Sequence, residues 1–301
     1  MSTSITTAFV AQYESEVHHL FQRYGGILRS TVRTKPNVVG STTTFQKIAS
    51  GAASTKARHG VITPMNVVHT TAVATLADFY AGDWVDRLDE AKINHDERQA
   101  LAKAGASALG RKVDDQILTA LDGTTQTTVT FTLTSKGTVE NALLDWAQTL
   151  NENSVPNDGE RFALLTPFAW TCAMKLDSFA NSQWVGPDGT PYAHGGAPLM
   201  KWKDWNGVRW SVHTGIQGVG TATAKMFMWH RNAVGYATGA HPNNMGESGY
   251  PAEIRADIQW HNDRAAHFIN HWMSGGAVLI DDTGVVECDV DDTGTVPISA
   301  S

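Results

Sequence analysis

The stretch Asn94–Gly123, NHDERQALAKAGASALGRKVDDQILTALDG, is the longest periodic element in the chain and carries its own start and stop signals. Asn94 and Glu97 are spaced as a capping box, and Gly123 can turn left-handed after the last carbonyls. Between them Leu101, Gly105, Leu109, Val113, Ile117 and Leu121 recur every four residues. Ala100, Ala104, Ala108, Leu118 and Ala120 flank that row, so the spacing predicts one helix with a single apolar stripe and a charged opposite face. At 1.5 Å per residue the rod is about 40 Å long, beyond the usual helix of a small domain. Much of its stripe is Ala and Gly, which lets something flat lie close along it.

The rest of the composition sets limits. A chain of 301 residues can hold two medium domains or one elaborated one. It is 42% apolar and 18% charged, and no apolar run approaches the roughly eighteen residues of a membrane span. Met1–Thr7 has neither the charged start nor the apolar core of a signal peptide. Cys172 and Cys288 are the only cysteines, which makes no disulfide framework or zinc pattern and fits a reducing cytoplasm. Charge is unevenly spread. No acid lies between Glu16 and Asp78, so residues 1–77 carry seven bases against two acids, while the remainder has sixteen against twenty-eight. A basic arm of +5 on a body of −12 points to an acidic surface to meet, either nucleic acid or another copy of the same body.

Before the long helix, Thr7 caps an amphipathic helix with Phe9, Tyr13, Val17, Leu20, Phe21 and Tyr24 on one side and Gly25-Gly26 at its end. A polar, Thr-rich stretch, Ser30–Thr44, follows. From Thr44 to Ala77 there is no helical period, and SGAASTKARHG (Ser50–Gly60) can bury nothing apolar, so this segment reads as a two-stranded arm with a basic tip. Such a ribbon needs a surface to rest on. Asp83–Glu90 reads as a short acidic turn or helix.

After the long helix, TVTFTLT (Thr128–Thr134) alternates as a strand with Val129, Phe131 and Leu133 inward. Thr138 starts a helix through Leu150, Phe162–Leu165 is a buried strand, and Thr166-Pro167 starts another helix. Asn206-Gly207 is the preferred pair for a two-residue hairpin turn, which sets Trp205 opposite Val208 and Asp204 opposite Arg209. Lys225–His230 is a strand and Arg231–Thr238 irregular or helical. Glu253–Leu279 reads as two strands joined at His261-Asn262-Asp263, with a break at Gly275-Gly276 before a short third.

Chemistry-bearing residues are sparse. Asp282-Thr283-Gly284 and Asp292-Thr293-Gly294 resemble halves of an aspartic protease signature, but a ten-residue spacing cannot build the two lobes that bring such carboxylates together, and both read as exposed turns. They lack the ligand spacing of a calcium loop. His267 and His271 share a face, yet there is no HExxH and no third zinc ligand. Gly215, Gly218 and Gly220 do not open a helix after a strand. No catalytic, cofactor or metal site is expected.

The order of parts, with the wording of TVRTKPNVVGSTTTFQKIASGAASTKARHGVITPMNV (31–67), ADFYAGDWVDRLDEAKINHDERQALAKAGASALGRKVDDQIL (77–118) and HNDRAAHFINHWMSGGAVLID (261–281), resembles the major capsid proteins of tailed bacteriophages, whose α+β fold is called the Johnson or Hong Kong ninety-seven type. The resemblance covers residues 8–281. It implies an N-terminal arm (1–43), an extended loop (44–80), a peripheral domain (81–137) with a spine helix at 94–123, an axial domain (138–250) and a return to the peripheral domain with a C-terminal tail (251–301). It further implies hexamers and pentamers of an icosahedral shell around packaged double-stranded DNA, assembled in the host cytoplasm. Because the chain reaches its first arm helix at once, a separate scaffolding protein is expected, with a portal protein, a possible decoration protein, DNA held without sequence-specific contact, and no membrane. Phe9, Tyr13, Val17, Arg33, Lys35, Lys47, Lys56 and Arg58 are the expected inter-subunit contacts. An aspartic-type hydrolase and a tail or other virion β-protein are the competing readings.

Overall fold

A computed structural model describes residues 25–90, 97–126, 131–133, 135–180, 202–240 and 255–294. Its elements run β1 (Arg33–Val38), β2 (Thr42–Ile48), β3 (His69–Thr75), β4 (Ala77–Asp86), α1 (Arg87–Glu90), α2 (Glu97–Leu121), β5 (Phe131–Thr132), α3 (Lys136–Glu152) and β6 (Arg161–Leu165). They continue with α4 (Pro167–Ala173), α5 (Asp177–Ala180), β7 (Lys203–Trp205), β8 (Val208–Val212), β9 (Ala224–His230), β10 (Val234–Gly239), β11 (Arg255–His261), β12 (Ala266–Leu279) and β13 (Val285–Asp291). The chain falls into two compact units, and two of the crossings between them lie inside α2 and β12. Asn94 and the helix carrying Phe9, Tyr13 and Val17 lie outside the described residues.

The smaller unit takes in Asp78–Lys112 and Ala252–Met273. β11 pairs antiparallel with β12 from Arg255↔Trp272 to His261↔Ala266, and β4 pairs with β12 as well. One face of these strands is closed by α2. Ile269, His271, Met273 and Val85 are buried there, and Lys112 lies 5.0 Å over the Phe79 ring. The expected acidic turn at Asp83–Glu90 is corrected: β4 continues to Asp86, because Phe79, Ala81 and Val85 alternate inward, and only Arg87–Glu90 is helical.

The Gly105 position shows why the stripe of α2 is built from small residues. A Cβ there would fall within 3.0 Å of His271 Cγ and nearer still to Cε1, while His271 Nδ1 is 3.3 Å from the Ala81 carbonyl oxygen. Gly105→Leu is therefore expected to cost about 1 to 3 kcal/mol by overpacking. Thermal unfolding checks this; an unchanged melting temperature together with normal particles would mean the face is not packed.

The larger unit comprises Gly26–Ala77, Val113–Pro251 and Ser274–Ser301. A mixed six-stranded sheet in the order β5-β13-β9-β6-β8-β7 carries α3 and α4 against one core, in which Trp146 stacks on Trp210 at 6.2 Å beside Phe179, Met226, Met228 and Cys288. The N-cap of α3 is Ser135 rather than Thr138. Thr138 completes the capping box from the third helical position. Thr166 caps α4, with Pro167 in its first turn. The β7–β8 hairpin has the expected register, Trp205↔Val208 and Asp204↔Arg209, with both Asn206 (φ 53) and Gly207 (φ 72) left-handed as a type I′ turn requires.

Beside it β1 runs parallel to β10, and β10 pairs antiparallel with β12 from Val234↔Leu279 to Thr238↔Gly275. Two expectations are corrected here. Only Arg231–Ala233 is a 3-10 turn; Val234–Gly239 is a strand whose first five residues are all buried, so it lacks the alternation that marks a half-exposed strand. β12 also runs unbroken through Gly275-Gly276.

Candidate assembly surfaces

The arm is a ribbon of β2 and β3 in register from Thr42↔Thr75 to Ile48↔His69. Its root is packed on its own unit: Phe45 and Ala74 join Val38 and Ala237 in a small core. Lys47 Nζ lies 2.6 Å from Asp281 Oδ1. Burial works to raise the Asp281 pKa, but hydrogen bonds from Lys47 and Thr283 outweigh it and hold the carboxylate below its ordinary value. Beyond Ile48 the support ends. Between Ala49 and Val68 every residue but Gly60 and Val67 is exposed, including Val61 at 92%, Ile62 at 71%, Lys56 and Arg58.

The expected contact residues thus separate. Lys56 and Arg58 project from the unsupported part of the arm. Arg33 and Lys35 are exposed on β1 and engaged locally, Arg33 5.8 Å from the Phe45 ring and Lys35 donating to the Thr44 carbonyl at 3.3 Å. Lys47 serves the arm's own root.

Four polar clusters supply the remaining candidates. Asp158, Glu160 and His230 are the one group of three metal-capable donors among the described residues. His230 Nδ1 accepts the Asn232 N–H at 3.2 Å, so Nε2 keeps its proton and points it at Asp158, also 3.2 Å away, while Glu160 holds Arg231 at 2.8 Å. Those groups already satisfy one another.

The two Asp-Thr-Gly turns are corrected from exposed turns to anchors. Asp281 and Asp291 each close a local turn on the Thr two residues on. The following carboxylates reach outward. Asp282 accepts from the Thr124 hydroxyl at 2.7 Å and the Thr125 N–H at 2.9 Å; Asp292, 7% exposed, accepts from the Thr166 hydroxyl at 2.6 Å and the Gly220 N–H at 2.7 Å. Their partners differ, so they form no proton-sharing dyad.

Sequence reasoning missed a third cluster. Asp114 on α2 is wholly buried, accepts the N–H groups of Leu28 (3.0 Å) and Ile27 (3.4 Å), and faces the buried His213 Nε2 at 3.7 Å. It lies three residues before Ile117 and seven before Leu121, in phase with the apolar stripe. An acid at that position was the available signal. Lys225 adds a fourth polar link, 2.7 Å from Asp122 at the end of α2 and 3.0 Å from the buried Glu287 on β13.

None of this geometry assembles a reaction centre; what stands out is the outer part of the arm, residues 49–68, which is exposed among the described residues. The sequence matches the phage capsid protein family over residues 5–292. The chain belongs to the phage capsid protein family. No curated protein matches it. Its fold is similar to that of the capsid of cyanophage P-SCSP1u, with a TM-score of 0.73 at 13% identity over 97% of this chain and 96% of that one. It is likewise similar to the Mycobacterium phage Che8 structure, with a TM-score of 0.70 at 14% identity over 95% and 98%, and to the capsid of Ralstonia phage GP4, with 0.63 at 13% over 96% and 97%.

The capsid protein is accordingly a structural component of the virion, and its partners include further copies of itself. Among its described residues no helix is long and apolar enough to cross a membrane.

Proposed function

We propose that this capsid protein is the major shell subunit, closing into hexamers and pentamers of an icosahedral head around packaged double-stranded DNA. The observation that carries this is the stretch 49–68: exposed apolar side chains and bases, no acid, and a root held by its own chain, a combination that calls for a surface on another copy. In this reading residues 1–43 are an N-terminal arm, 44–80 the extended loop, 81–137 the peripheral domain, 138–250 the axial domain and 251–301 the return and tail. A separate scaffolding protein, a portal protein and a decoration protein are further partners, and DNA is enclosed without sequence-specific contact. No residue is catalytic; the carboxylates that invite that role close turns and hold neighbouring segments.

Expression with and without a scaffolding partner, followed by electron microscopy, tests the reading: closed shells or hexamers are expected, and a monomer in every condition would reject it. The arm supplies a sharper test. Lys56→Glu with Arg58→Glu should leave the circular dichroism of the subunit unchanged while shell yield falls. Each exposed pair is worth only about 0 to 1 kcal/mol, but the loss repeats at every contact of a closed ring. Added salt should weaken wild-type assembly for the same reason. Normal shells from the double variant would rule out an electrostatic role for the arm.

A further inference from the structure

The buried imidazole of His213 is the least settled polar group in the larger unit. It follows β8, with its own N–H on the Leu165 carbonyl at 3.1 Å, and its Nδ1 accepts the Gly215 N–H at 3.2 Å. That acceptance puts the proton of the neutral ring on Nε2, which is shut off from solvent and has no hydrogen-bond partner among the described residues. Nε2 stands 3.7 Å from Asp114 Oδ2, short of a bond. Asp114 is the complementary case, a wholly buried acid met only by the Ile27 and Leu28 N–H groups. No other ionisable group among the described residues reaches this pair. On α2, Lys112 lies over Phe79, Asp122 holds Lys225, and Arg111 and Asp115 have partners of their own, as has Arg29 in the turn before β1. Arg161 on β6 turns to Asn151 and Pro156, Arg209 on β8 pairs with Asp204, and on β9 Lys225 is divided between Asp122 and Glu287 while His230 faces Asp158. Asp292, under the loop after β8, is taken by Thr166 and Gly220.

We infer that His213 is a proton-operated latch on the segment that enters β1, exchanging one bond for another. The neutral ring holds Gly215 and leaves Asp114 to the two amides. A second proton goes on Nδ1, which then cannot accept, so the Gly215 N–H is released. The imidazolium is also the counter-charge that Asp114 lacks, and less than about 1 Å of ring movement brings Nε2 to the roughly 2.8 Å of a charged hydrogen bond. The loop accommodates the release locally, because Ile216 is buried and the Gly220 N–H stays on Asp292. With the ring charged, the Asp114 carboxylate is kept ionised and aligned on Ile27 and Leu28. The turn they begin is already tied down at its far end, where Trp229 Nε1 donates to the Thr31 carbonyl at 3.1 Å, so the latch acts on its near end. Acid thus loosens the loop after β8 and tightens the entry to β1, two opposite effects of one proton. Histidine is the side chain that changes charge between pH 5 and 8, which sets the window for the test.

Hydrogen exchange read by mass spectrometry tests this on the full chain, held in one assembly state at pH 8 and pH 5, on either side of its isoelectric point near 5.9. After correction for the intrinsic pH dependence of exchange, the amides of residues 214–216 should lose protection about tenfold on acidification while those of 27–29 gain about threefold. His213→Asn keeps an acceptor for the Gly215 N–H but has nothing to titrate, so it should abolish both changes. Asp114→Asn should abolish the gain at 27–29. Protection that moves the same way at both places, does not move, or responds equally in His213→Asn overturns the latch. Should that variant not fold, the opposed directions in the unmodified chain decide alone, since a general loosening in acid lowers protection at both.

Discussion

Replacing Lys225 by methionine is expected to destabilise the larger unit by about 3 kcal/mol, the lower end of the range for breaking a buried ion pair by removing one partner. The lower end applies because the Lys225 side chain is 30% exposed and Asp122 35%, whereas Glu287 is 4%. The partners respond differently to their pairing. Hydrogen bonds to Asp122 and Glu287 raise the Lys225 pKa above its ordinary value. Burial raises that of Glu287, and the pull of Lys225 in the opposite direction only partly offsets it. A carboxylate raised in the folded state is a cost at neutral pH that fades as pH falls toward its folded pKa. Without Lys225 that cost grows, so the melting temperature deficit of Lys225→Met should be largest near pH 7.5 and shrink toward pH 5. Lys225→Met with Glu287→Gln should recover part of the loss at neutral pH. A deficit that is flat with pH would show that Glu287 is not the group left unpaired.

Local sequence rules worked where one element's own pattern decides its state. The stripe of α2, the Asn206-Gly207 turn with its cross-strand pairs, and the Thr166-Pro167 helix start are set by period and turn chemistry within a few residues. They failed where a residue answers to something distant in the chain. Asp114 is an acid in a stripe that burial fills, and it is held there by the N–H groups of Ile27 and Leu28, 87 and 86 residues earlier. Asp292 sits in a turn-like tetrapeptide, yet Thr166 and the Gly220 amide make it a buried acceptor. β10 gave no alternation because both of its edges and faces are occupied. The packing of Trp84 on Phe268, ring centroids 4.5 Å apart, was illegible for a related reason. Each is unremarkable in sequence, and they meet only because β4 and β12 pair. Of the expected contact residues, the basic arm tip was visible from charge alone, while the intrachain pairing of Lys47 with Asp281, 234 residues away, was not.

The second large effect is expected at Gly276, where the sequence suggests a strand break and the chain has none. Gly276 lies opposite Ala237 on β10, with Gly235 next on the same side, so the two strands present a floor of small residues. The root of the arm rests on it. A Cβ on Gly235 would stand 2.8 Å from the Phe45 ring, and one on Gly276 would collide with the Thr75 carbonyl group, its carbon 2.9 Å away, with Leu76 Cα at 3.4 Å. The distinction decides the magnitude. A ring can turn aside, but Thr75 and Leu76 offer main chain, and Leu76 N–H is already bonded to the Ser41 carbonyl at 2.9 Å. Gly276→Val adds two methyl groups beyond that Cβ, so the cost should reach the upper end of overpacking, about 3 kcal/mol or more. Gly235→Ala, where only Phe45 must move, should cost less. Because the displaced segment roots β3, Gly276→Val should also lower shell yield at temperatures where the subunit remains folded. Thermal unfolding of both variants, with particle imaging of the same preparations, settles the ranking: a Gly276→Val melting temperature at or above that of Gly235→Ala would show that the arm does not lie on this floor.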